Sequence, residues 1–272
     1  MSSPIDGGVV LITGASSGIG RALALLLAPR ARTLILVARR RDRLEELRAE
    51  LTAKSPKLTV VLGVCDLGDL EKASAMLDDV RAKAGEIDVL INNAGIGDLG
   101  VFDRADWDKT RRMIDLNVTS LTYLTHRLVG PMVERGRGGI LNVSSGFGMT
   151  FLPGFSVYVG TKHFVTSFTE ALRLELAGTG VVVTQVCPGP VATEFEEHTG
   201  NFTGQKVPSL VQISAEQCAR SAIRGFDRRR PLVVPGLLMK VLLGLGAWTP
   251  RFVFRLFGAP LGKALRKKQL AL

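Results

Sequence analysis

A glycine-rich turn near the start of the chain has the composition of a phosphate-binding site. Gly14, Gly18 and Gly20 form a Gly-x3-Gly-x-Gly pattern directly after a short apolar run. Glycine lets the backbone turn sharply and lets a pyrophosphate approach the amides, and the helix that follows supplies unpaired N–H groups and the positive end of its dipole. An ordinary strand-to-helix turn is the alternative, but the strand–turn–helix context favours dinucleotide binding.

The end of the second apolar run indicates which dinucleotide to expect. An acid at this place would accept a hydrogen bond from the ribose 2′-hydroxyl of NAD. Ala38 stands about where that acid is expected, and Arg39 follows at once, ahead of Arg40 and Arg41. A guanidinium fork suits a 2′-phosphate, whereas a solvated cluster of cations at a helix start, the alternative, opposes the dipole. We therefore expect NADP(H), although Ser17 fills the other place where a basic residue is common.

Short apolar runs alternate with helical segments along most of the chain. The runs lie at 9–12, 33–37, 58–64, 88–91, 139–143 and 181–186, with a possible last strand at 231–234, and the main helices at 19–27, 41–53, 70–84, 106–134 and 156–177. This alternation predicts a parallel sheet covered on both faces. We expect one doubly wound Rossmann-type α/β domain over 1–235 and a basic, apolar C-terminal extension over 236–272.

Composition and charge exclude several classes of protein. The chain has 272 residues, of which 46% are hydrophobic and 22% charged, too polar for a multi-spanning membrane protein and too apolar for a disordered chain. Its three cysteines form no CxxC pair, so no disulfide scaffold or metal site is expected, and a reducing, cytoplasmic setting fits best. Ten basic residues and no acid follow Asp227, so the net charge of +10 belongs to the tail. Nucleic-acid binding by the main body is therefore not expected.

Six motifs in order resemble those of the short-chain dehydrogenase/reductase family. They are the glycine turn, Asn92-Asn93-Ala94-Gly95, Asn117, Ser144-Ser145, Tyr158-x3-Lys162 and Pro188-Gly189. The resemblance spans about residues 6–235, and the Ala-Arg-Arg end of the second run is similar to NADP-preferring members. It implies a Rossmann fold, hydride transfer between a nicotinamide and a carbonyl or secondary alcohol carbon, and a homodimer or homotetramer.

The resemblance also implies a set of cofactor contacts. Asp66 resembles the aspartate that binds the adenine amino group, and Thr193 the residue that holds the nicotinamide amide. Asp66 could instead cap the next helix, and Thr193 could be an ordinary loop hydroxyl. Asn92 and Ala94 resemble positions whose loop packs beside the adenine ribose. The residues expected to contact NADP(H) are Gly14, Ser16, Ser17, Gly18, Ile19, Gly20, Arg39, Asp66, Leu67, Asn93, Ala94, Gly95, Tyr158, Lys162, Pro188, Gly189, Val191 and Thr193.

Four catalytic residues follow from the same resemblance: Asn117, Ser145, Tyr158 and Lys162. Hydride moves with a proton, so the substrate oxygen needs an acid–base group, and Tyr158 is the candidate. A free tyrosine has a pKa of about 10, and Lys162, one helical turn away, would favour the tyrosinate together with the oxidised nicotinamide. Ser145 would hydrogen-bond the substrate oxygen. Lys162 would also grip the nicotinamide ribose, and the backbone of Asn117 would hold a water in the proton relay.

Two further segments carry open alternatives. The segment 189–209, rich in Gly, Pro, Thr and Glu, borders the expected ligand crevice, where a lid over the substrate is expected and a plain connecting loop is the alternative. The tail beyond Gly236 mixes large apolar residues with cations. It could lie on an anionic membrane surface or close over an apolar pocket, pack against the protein or a second subunit, or bind an acidic partner such as an acyl carrier.

The function predicted from these features is an NADP(H)-dependent oxidoreductase acting on a ketone or secondary alcohol of a lipophilic molecule. The alternative is a nucleotide-sensing or scaffold protein that keeps the pocket without turnover, and the complete set of catalytic residues argues against it. His126 and His198 have no partner motif, so no metal is expected. We expect a cytoplasmic enzyme, with contact at the inner face of a membrane through 236–272 left open.

Overall fold

The apolar runs form the strands of one parallel sheet. The computed structural model describes residues 2–195, 199–200 and 211–271. Its strands are β1 (Val9–Thr13), β2 (Thr33–Ala38), β3 (Thr59–Val64), β4 (Val89–Asn92), β5 (Gly138–Val143), β6 (Val181–Val186), β7 (Val191–Ala192), β8 (Ile213–Ser214) and β9 (Leu232–Val233). Seven of them form a sheet of order β3-β2-β1-β4-β5-β6-β9, and β7 pairs with β8. The predicted doubly wound Rossmann-type fold is confirmed.

Helices cover both faces of this sheet. They are α1 (Gly18–Leu27), α2 (Arg41–Lys54), α3 (Leu70–Ala84), α4 (Trp107–Ile114), α5 (Leu121–Glu134), α6 (Ser156–Glu175), α7 (Ala215–Asp227), α8 (Leu237–Trp248) and α9 (Arg251–Gln269). The long helix predicted over 106–134 contains a π-helical segment, Asp115–Ser120, between α4 and α5. Hydrophobic periodicity does not reveal such a segment, which often marks a functional site.

The core consists of two apolar layers, one on each side of the sheet. Along β1, Val10 and Ile12 belong to one layer, and Val9 and Leu11 to the other. Because both faces of the strand are buried, its sequence is a continuous apolar run rather than an alternating one. The layers are completed by helix residues such as Leu23, Leu47 and Phe226 on one side and Leu77, Leu128 and Leu172 on the other.

The strand order places the ligand crevice. The chain builds outward from β1 through β2 to β3, then returns to pair β4 with the other side of β1. Ligands of such sheets bind at this reversal, outside the carboxyl ends of the strands. The glycine turn, the segments that follow β4 and β5, and the segment after β6 all leave the sheet at this edge.

The C-terminal extension forms α8 and α9. Met239 of α8 packs against Gly189, and Leu265 of α9 packs against Gly154. The Arg266 guanidinium donates two hydrogen bonds to the Asp103 carboxylate, at 2.7 and 3.0 Å. Within the described ranges no single helix is long and apolar enough to cross a membrane, whereas α8 and α9 meet those criteria of length and composition only as a bent pair.

Candidate active site

One cavity of about 1240 Å³ opens at the carboxyl edge of the sheet. It extends from the glycine turn at one end to α8 and α9 at the other. The predicted site residues that line it are Gly14, Ser16, Ser17, Gly18, Ile19, Arg39, Asp66, Leu67, Asn93, Ala94, Gly95, Ser145, Tyr158, Lys162, Pro188, Gly189, Val191 and Thr193. A dinucleotide and a substrate can therefore share one continuous space.

The glycine turn has the backbone geometry that its sequence predicts. Gly14 and Gly18 have φ angles of +65° and +52°, in the left-handed region that favours glycine. The hydroxyl oxygen of Thr13 accepts hydrogen bonds from the amides of Asn93 (2.9 Å) and Ala94 (3.0 Å). The Asn93 side chain donates back to the Thr13 carbonyl at 2.9 Å. These bonds tie the end of β1 to the end of β4 and fix the floor of the cavity.

Two residues of the motifs do not line the cavity: Gly20, an expected contact, and Asn92, whose loop was expected to pack beside the adenine ribose. Gly20 does not line the cavity, because a side chain there would collide with the Gly14 carbonyl and the Asn93 amide; its role is close packing of α1 against the turn. Asn92 also turns away: its amide donates to Asn142 (2.9 Å) and Thr125 (3.1 Å) within the layer beneath the sheet. As the last residue of β4, Asn92 points to the face opposite its neighbour Asn93, since strand side chains alternate.

The end of the cavity beside the glycine turn is lined by two arginines, each close to an acid. Arg39 lies there with its Nη1 atom 4.0 Å from a carboxylate oxygen of Asp66. Arg40, which the sequence did not single out, donates to Glu194 at 2.8 Å and to the Ser16 hydroxyl at 3.3 Å. Both guanidinium groups line the cavity. They supply guanidinium donors that could bind a 2′-phosphate, although Asp66 and Glu194 offset their charge.

Asp66 is held in its charged form at this end. Burial would raise the pKa of Asp66, but the amide of Gly68 and the guanidinium of Arg112, which donates at 2.5 Å, hold that pKa below its ordinary value. Asp66 does not cap the next helix: Asp69 precedes α3 and accepts from the amide of Lys72 at 3.2 Å. The alternative interpretation of Asp66, as the cap of the next helix, is therefore wrong.

The catalytic candidates converge at the centre of the cavity. Tyr158 and Lys162 lie in the first turns of α6, with side chains only 6% and 5% exposed. Ser145 follows β5 after one residue, and its hydroxyl faces Tyr158 closely enough to favour the ionised form of that phenol. The Lys162 ammonium donates to the carbonyl of Val143 at 3.0 Å. A hydroxyl pair backed by a buried cation is an arrangement that can bind and protonate a carbonyl oxygen.

Burial governs the protonation of this group. Burial raises the pKa of Tyr158 to about 12, against the opposing effect of the Ser145 hydrogen bond. Burial also lowers the pKa of Lys162 to about 8, opposed by the nearby Cys187. The Lys162 ammonium lies 5.8 Å from the centre of the Tyr158 ring. At neutral pH Tyr158 is therefore protonated, which is the form that donates a proton. The tyrosinate expected when oxidised nicotinamide is bound stays a prediction.

Asn117 lies behind the cavity rather than in its wall. It is buried in the π-helical segment, where its amide donates to the carbonyl of Ile96 (2.9 Å) and the hydroxyl of Thr161 (3.1 Å). Its side-chain oxygen accepts from the amide of Ile96 at 3.0 Å. The side chain thus fastens the segment after β4 to α6, beside Lys162. The water-holding role of its backbone stays a prediction.

An apolar wall surrounds Tyr158 on the substrate side. The rings of Phe195, Phe147 and Phe155 lie with centroids 5.6, 6.1 and 6.2 Å from that of Tyr158. The extension adds four side chains to the cavity lining: Met239, Leu243, Leu261 and Leu265. The sequence did not single out these residues, since they come from a tight turn and from helices remote in the chain. Such a wall excludes water and suits an apolar substrate.

Comparison with known proteins places this fold and site in a family. The family model described as short chain dehydrogenase matches residues 8–203. The chain belongs to the short-chain dehydrogenase/reductase family. It is 38% identical over 240 residues to an uncharacterized oxidoreductase of Myxococcus xanthus, covering 85% of this chain and 91% of the relative.

Two solved structures show the likeness in three dimensions. A short-chain dehydrogenase from Sphingobium yanoikuyae in complex with NADPH is 34% identical, with a TM-score of 0.77, covering 89% of this chain and 96% of the other. The bulky-bulky ketone specific alcohol dehydrogenase from Comamonas testosteroni is 29% identical, with a TM-score of 0.73, covering 89% and 95%. The present protein is thus an oxidoreductase of this family.

Two predictions for this short-chain dehydrogenase involve residues that the structure describes only in part. In the predicted lid segment 189–209, positions 196–198 and 201–210 lie outside the described residues, and His198 is one of them. The described part of this segment places the Thr193 side chain against Gly18, and whether the segment is a lid stays a prediction. Across the described ranges, no group of three or more His, Cys, Asp or Glu side chains could hold a metal ion.

Proposed function

We propose that the protein is an NADP(H)-dependent reductase of ketones that carry a large apolar group, with Tyr158 as the proton donor. The observation that carries this proposal is one cavity in which Tyr158 and Ser145 lie between an end lined by Arg39 and Arg40 and an apolar wall. The NADPH complex of one relative and the bulky-ketone specificity of another support the choice of cofactor and substrate. Reduction in the cytoplasm and assembly as a homodimer or homotetramer stay predictions.

The residues present fit NADP(H). Gly14 and Gly18 have the positive φ angles of a tight turn in which a side chain would collide with Ala94 or Thr193, and Gly18 opens α1, whose N-terminus attracts anions. Arg39 and Arg40 would hold the 2′-phosphate, and Lys162 the nicotinamide ribose. When bound, the cofactor supplies the hydride for the carbonyl carbon.

Side chains of the protein supply the proton for the substrate oxygen. Ser145 and Tyr158 would both donate hydrogen bonds to the substrate oxygen, which polarises the carbonyl bond. As negative charge develops on that oxygen, the Tyr158 hydroxyl transfers its proton, and the buried Lys162 ammonium stabilises the resulting tyrosinate. The three phenylalanine rings around Tyr158 keep bulk water from the site. In oxidation of an alcohol the same groups act in reverse.

We expect turnover to rise with the apolar size of the ketone. The measurement is NADPH oxidation by the purified full-length protein, followed across a series from acetone through cyclohexanone to long-chain methyl ketones. Because each buried methylene contributes about 0.8 kcal/mol, kcat/KM should rise roughly tenfold or more for each two carbons added. Turnover confined to small polar carbonyls would contradict the proposed substrate class.

A matched pair of variants on α9 shows whether the apolar wall sets this preference. Leu265→Trp narrows the cavity from its inner lining, whereas Leu256→Trp adds the same ring to the outer face, where Leu256 is 66% exposed. A misfit in an apolar pocket changes specificity by roughly 10- to 200-fold. Leu265→Trp should lower kcat/KM for the longest ketone at least about 10-fold and leave kcat/KM for acetone unchanged. Leu256→Trp should leave kcat/KM unchanged for both ketones.

Cofactor preference tests the roles of Arg39 and Arg40. Replacing both Arg39 and Arg40 with alanine should weaken NADPH binding by roughly ten- to a hundredfold, because a charge-assisted hydrogen bond contributes about 1.5–3 kcal/mol. Binding of NADH, which lacks the 2′-phosphate, should change little. Arg43→Ala, in the first turn of α2 but outside the cavity lining, is the control. Equal losses for NADPH and NADH would show that these arginines do not select the phosphate.

A further inference from the structure

The two helices of the extension each have two apolar faces. On α8, Met239 and Leu243 line the cavity. The opposite side of α8 carries Leu237, Val241 and Leu245, spaced one turn apart and 79%, 50% and 65% exposed. A soluble surface rarely gathers large apolar side chains in this way, and such patches mark interaction sites.

Helix α9 repeats this arrangement. Leu265 lines the cavity from its inner side. On the outer side Phe252, Leu256 and Phe257 are 66%, 66% and 71% exposed. Leu261 belongs to both surfaces, since it lines the cavity and is 42% exposed. The apolar lining of the cavity therefore reaches the outer face of the extension at Leu261.

Cations accompany the apolar side chains on these helices. Exposed Lys263 and Lys267 lie one turn apart on α9, and by helical periodicity they share the side of Leu256. The other basic residues of the two helices and their junction are Lys240, Arg251, Arg255, Arg266 and Lys268, and no acidic residue occurs after Asp227. Exposed apolar side chains interspersed with cations are typical of helices that lie in the interface of an anionic bilayer.

The positive charge of the extension indicates which partner binds the outer faces of α8 and α9: a second copy of the chain or a lipid surface. In a symmetric dimer the same patch meets its own copy. Pairing through α8 and α9 would bring the cations of both chains together with no acid in either extension to offset them. An anionic lipid surface neutralises the same cations and accepts the leucine and phenylalanine side chains at once.

We propose that α8 and α9 bind the surface of an anionic lipid bilayer through their outer faces, and that apolar ketones pass from the bilayer to the cavity beside Leu261. The bidentate Arg266–Asp103 pair, together with the hydrogen bond from the Val101 amide to Gln269 (2.8 Å), holds the end of α9 to the catalytic body. Helix α9, which forms part of the cavity wall, would thus contact both the membrane and the catalytic body. The entry route rests on the proposed function, whereas membrane binding does not.

Co-sedimentation with vesicles tests the binding. Full-length protein with NADPH is mixed with vesicles of equal parts phosphatidylcholine and phosphatidylglycerol, and with vesicles of phosphatidylcholine alone. We expect binding to the anionic vesicles that weakens as salt is added. The double substitution Leu245→Asp with Leu256→Asp should lower the partition coefficient at least about tenfold. Leu174→Asp, at a leucine near the end of α6 that is 69% exposed, is the matched control and should bind as the parent does.

Several results would overturn the proposal. They are equal sedimentation with both vesicle types, undiminished binding of the double variant, and a dimer in light scattering that the double variant dissociates while no vesicles bind. Capture of an acidic carrier protein in place of vesicles would overturn it as well. Turnover of acetone should be the same in the parent and the double variant, so loss of membrane binding with intact turnover would leave the proposed function standing.

Discussion

Replacing Tyr158 with phenylalanine is expected to lower kcat for ketone reduction by roughly a hundred- to ten-thousandfold, the usual contribution of a positioned general acid. The ring is buried among Phe147, Phe155 and Phe195, so phenylalanine keeps these contacts and removes only the hydroxyl. Ser145 is unchanged and can still donate to the substrate oxygen. NADPH affinity should therefore change little, and the loss should appear in kcat.

The other tyrosine provides the control. Tyr123 lies on α5, where its hydroxyl accepts a hydrogen bond from Arg127 at 2.6 Å, and Tyr123→Phe should keep full turnover. Stopped-flow fluorescence of NADPH separates binding from chemistry in both variants. If Tyr158→Phe reduced ketones at the parent rate, Tyr158 would not be the proton donor. If both proteins bound NADPH tightly with no turnover, the nucleotide-sensing alternative would gain support.

Lys162→Met should abolish most turnover and also change how stability depends on pH. Burial lowers the pKa of Lys162 from 10.5 to about 8. Between these values the unfolded chain binds more protons than the folded one, so the free energy of unfolding of the parent should rise with pH in this window. Relative to the methionine variant, the rise should be about 2 kcal/mol between pH 7 and pH 9.5.

Urea unfolding of the cofactor-free parent and Lys162→Met variant measures this difference in the free energy of unfolding. The titration of all other groups is common to both proteins and cancels when the two free energies are subtracted. The substitution leaves the Val143 carbonyl without its donor, a loss that does not vary with pH. Lys57→Met, at an exposed lysine in the turn after α2, should show no pH-dependent difference. A parent-minus-variant difference that stayed flat from pH 7 to 9.5 would mean that Lys162 is solvated and that its buried position is wrong.

Local sequence patterns were sufficient for most of the fold. A strand buried on both faces must be a continuous apolar run, and Val9–Thr13 or Thr33–Ala38 can be recognised without tertiary information. The positive φ angles of Gly14 and Gly18 follow from their place between a strand and a helix. Tyr158 and Lys162 could be paired because one helical turn separates them and because the other family motifs stand at their expected places in the chain.

The remaining features depend on contacts between distant segments. The Arg40–Glu194 ion pair joins residues at 40 and 194, and the sequence gives no signal for it. The C-terminal side chains that complete the apolar wall, such as Leu265, come from helices whose composition left their position open. The raised pKa of Tyr158 also depends on its burial, which outweighs the opposing effect of Ser145. The exclusion of Gly20 and Asn92 from the cavity reflects packing that motif spacing does not express.

Hydride transfer can be followed directly with NADPH deuterated at the transferring position of the nicotinamide. The full-length protein is incubated with this cofactor and a long-chain methyl ketone, and the product alcohol is analysed by mass spectrometry. We predict one deuterium at the carbinol carbon for each NADPH oxidised, and no such product with Tyr158→Phe on the same timescale. NADPH oxidation that leaves no deuterium in the alcohol, or tight NADPH binding with no alcohol formed, would contradict the proposed function.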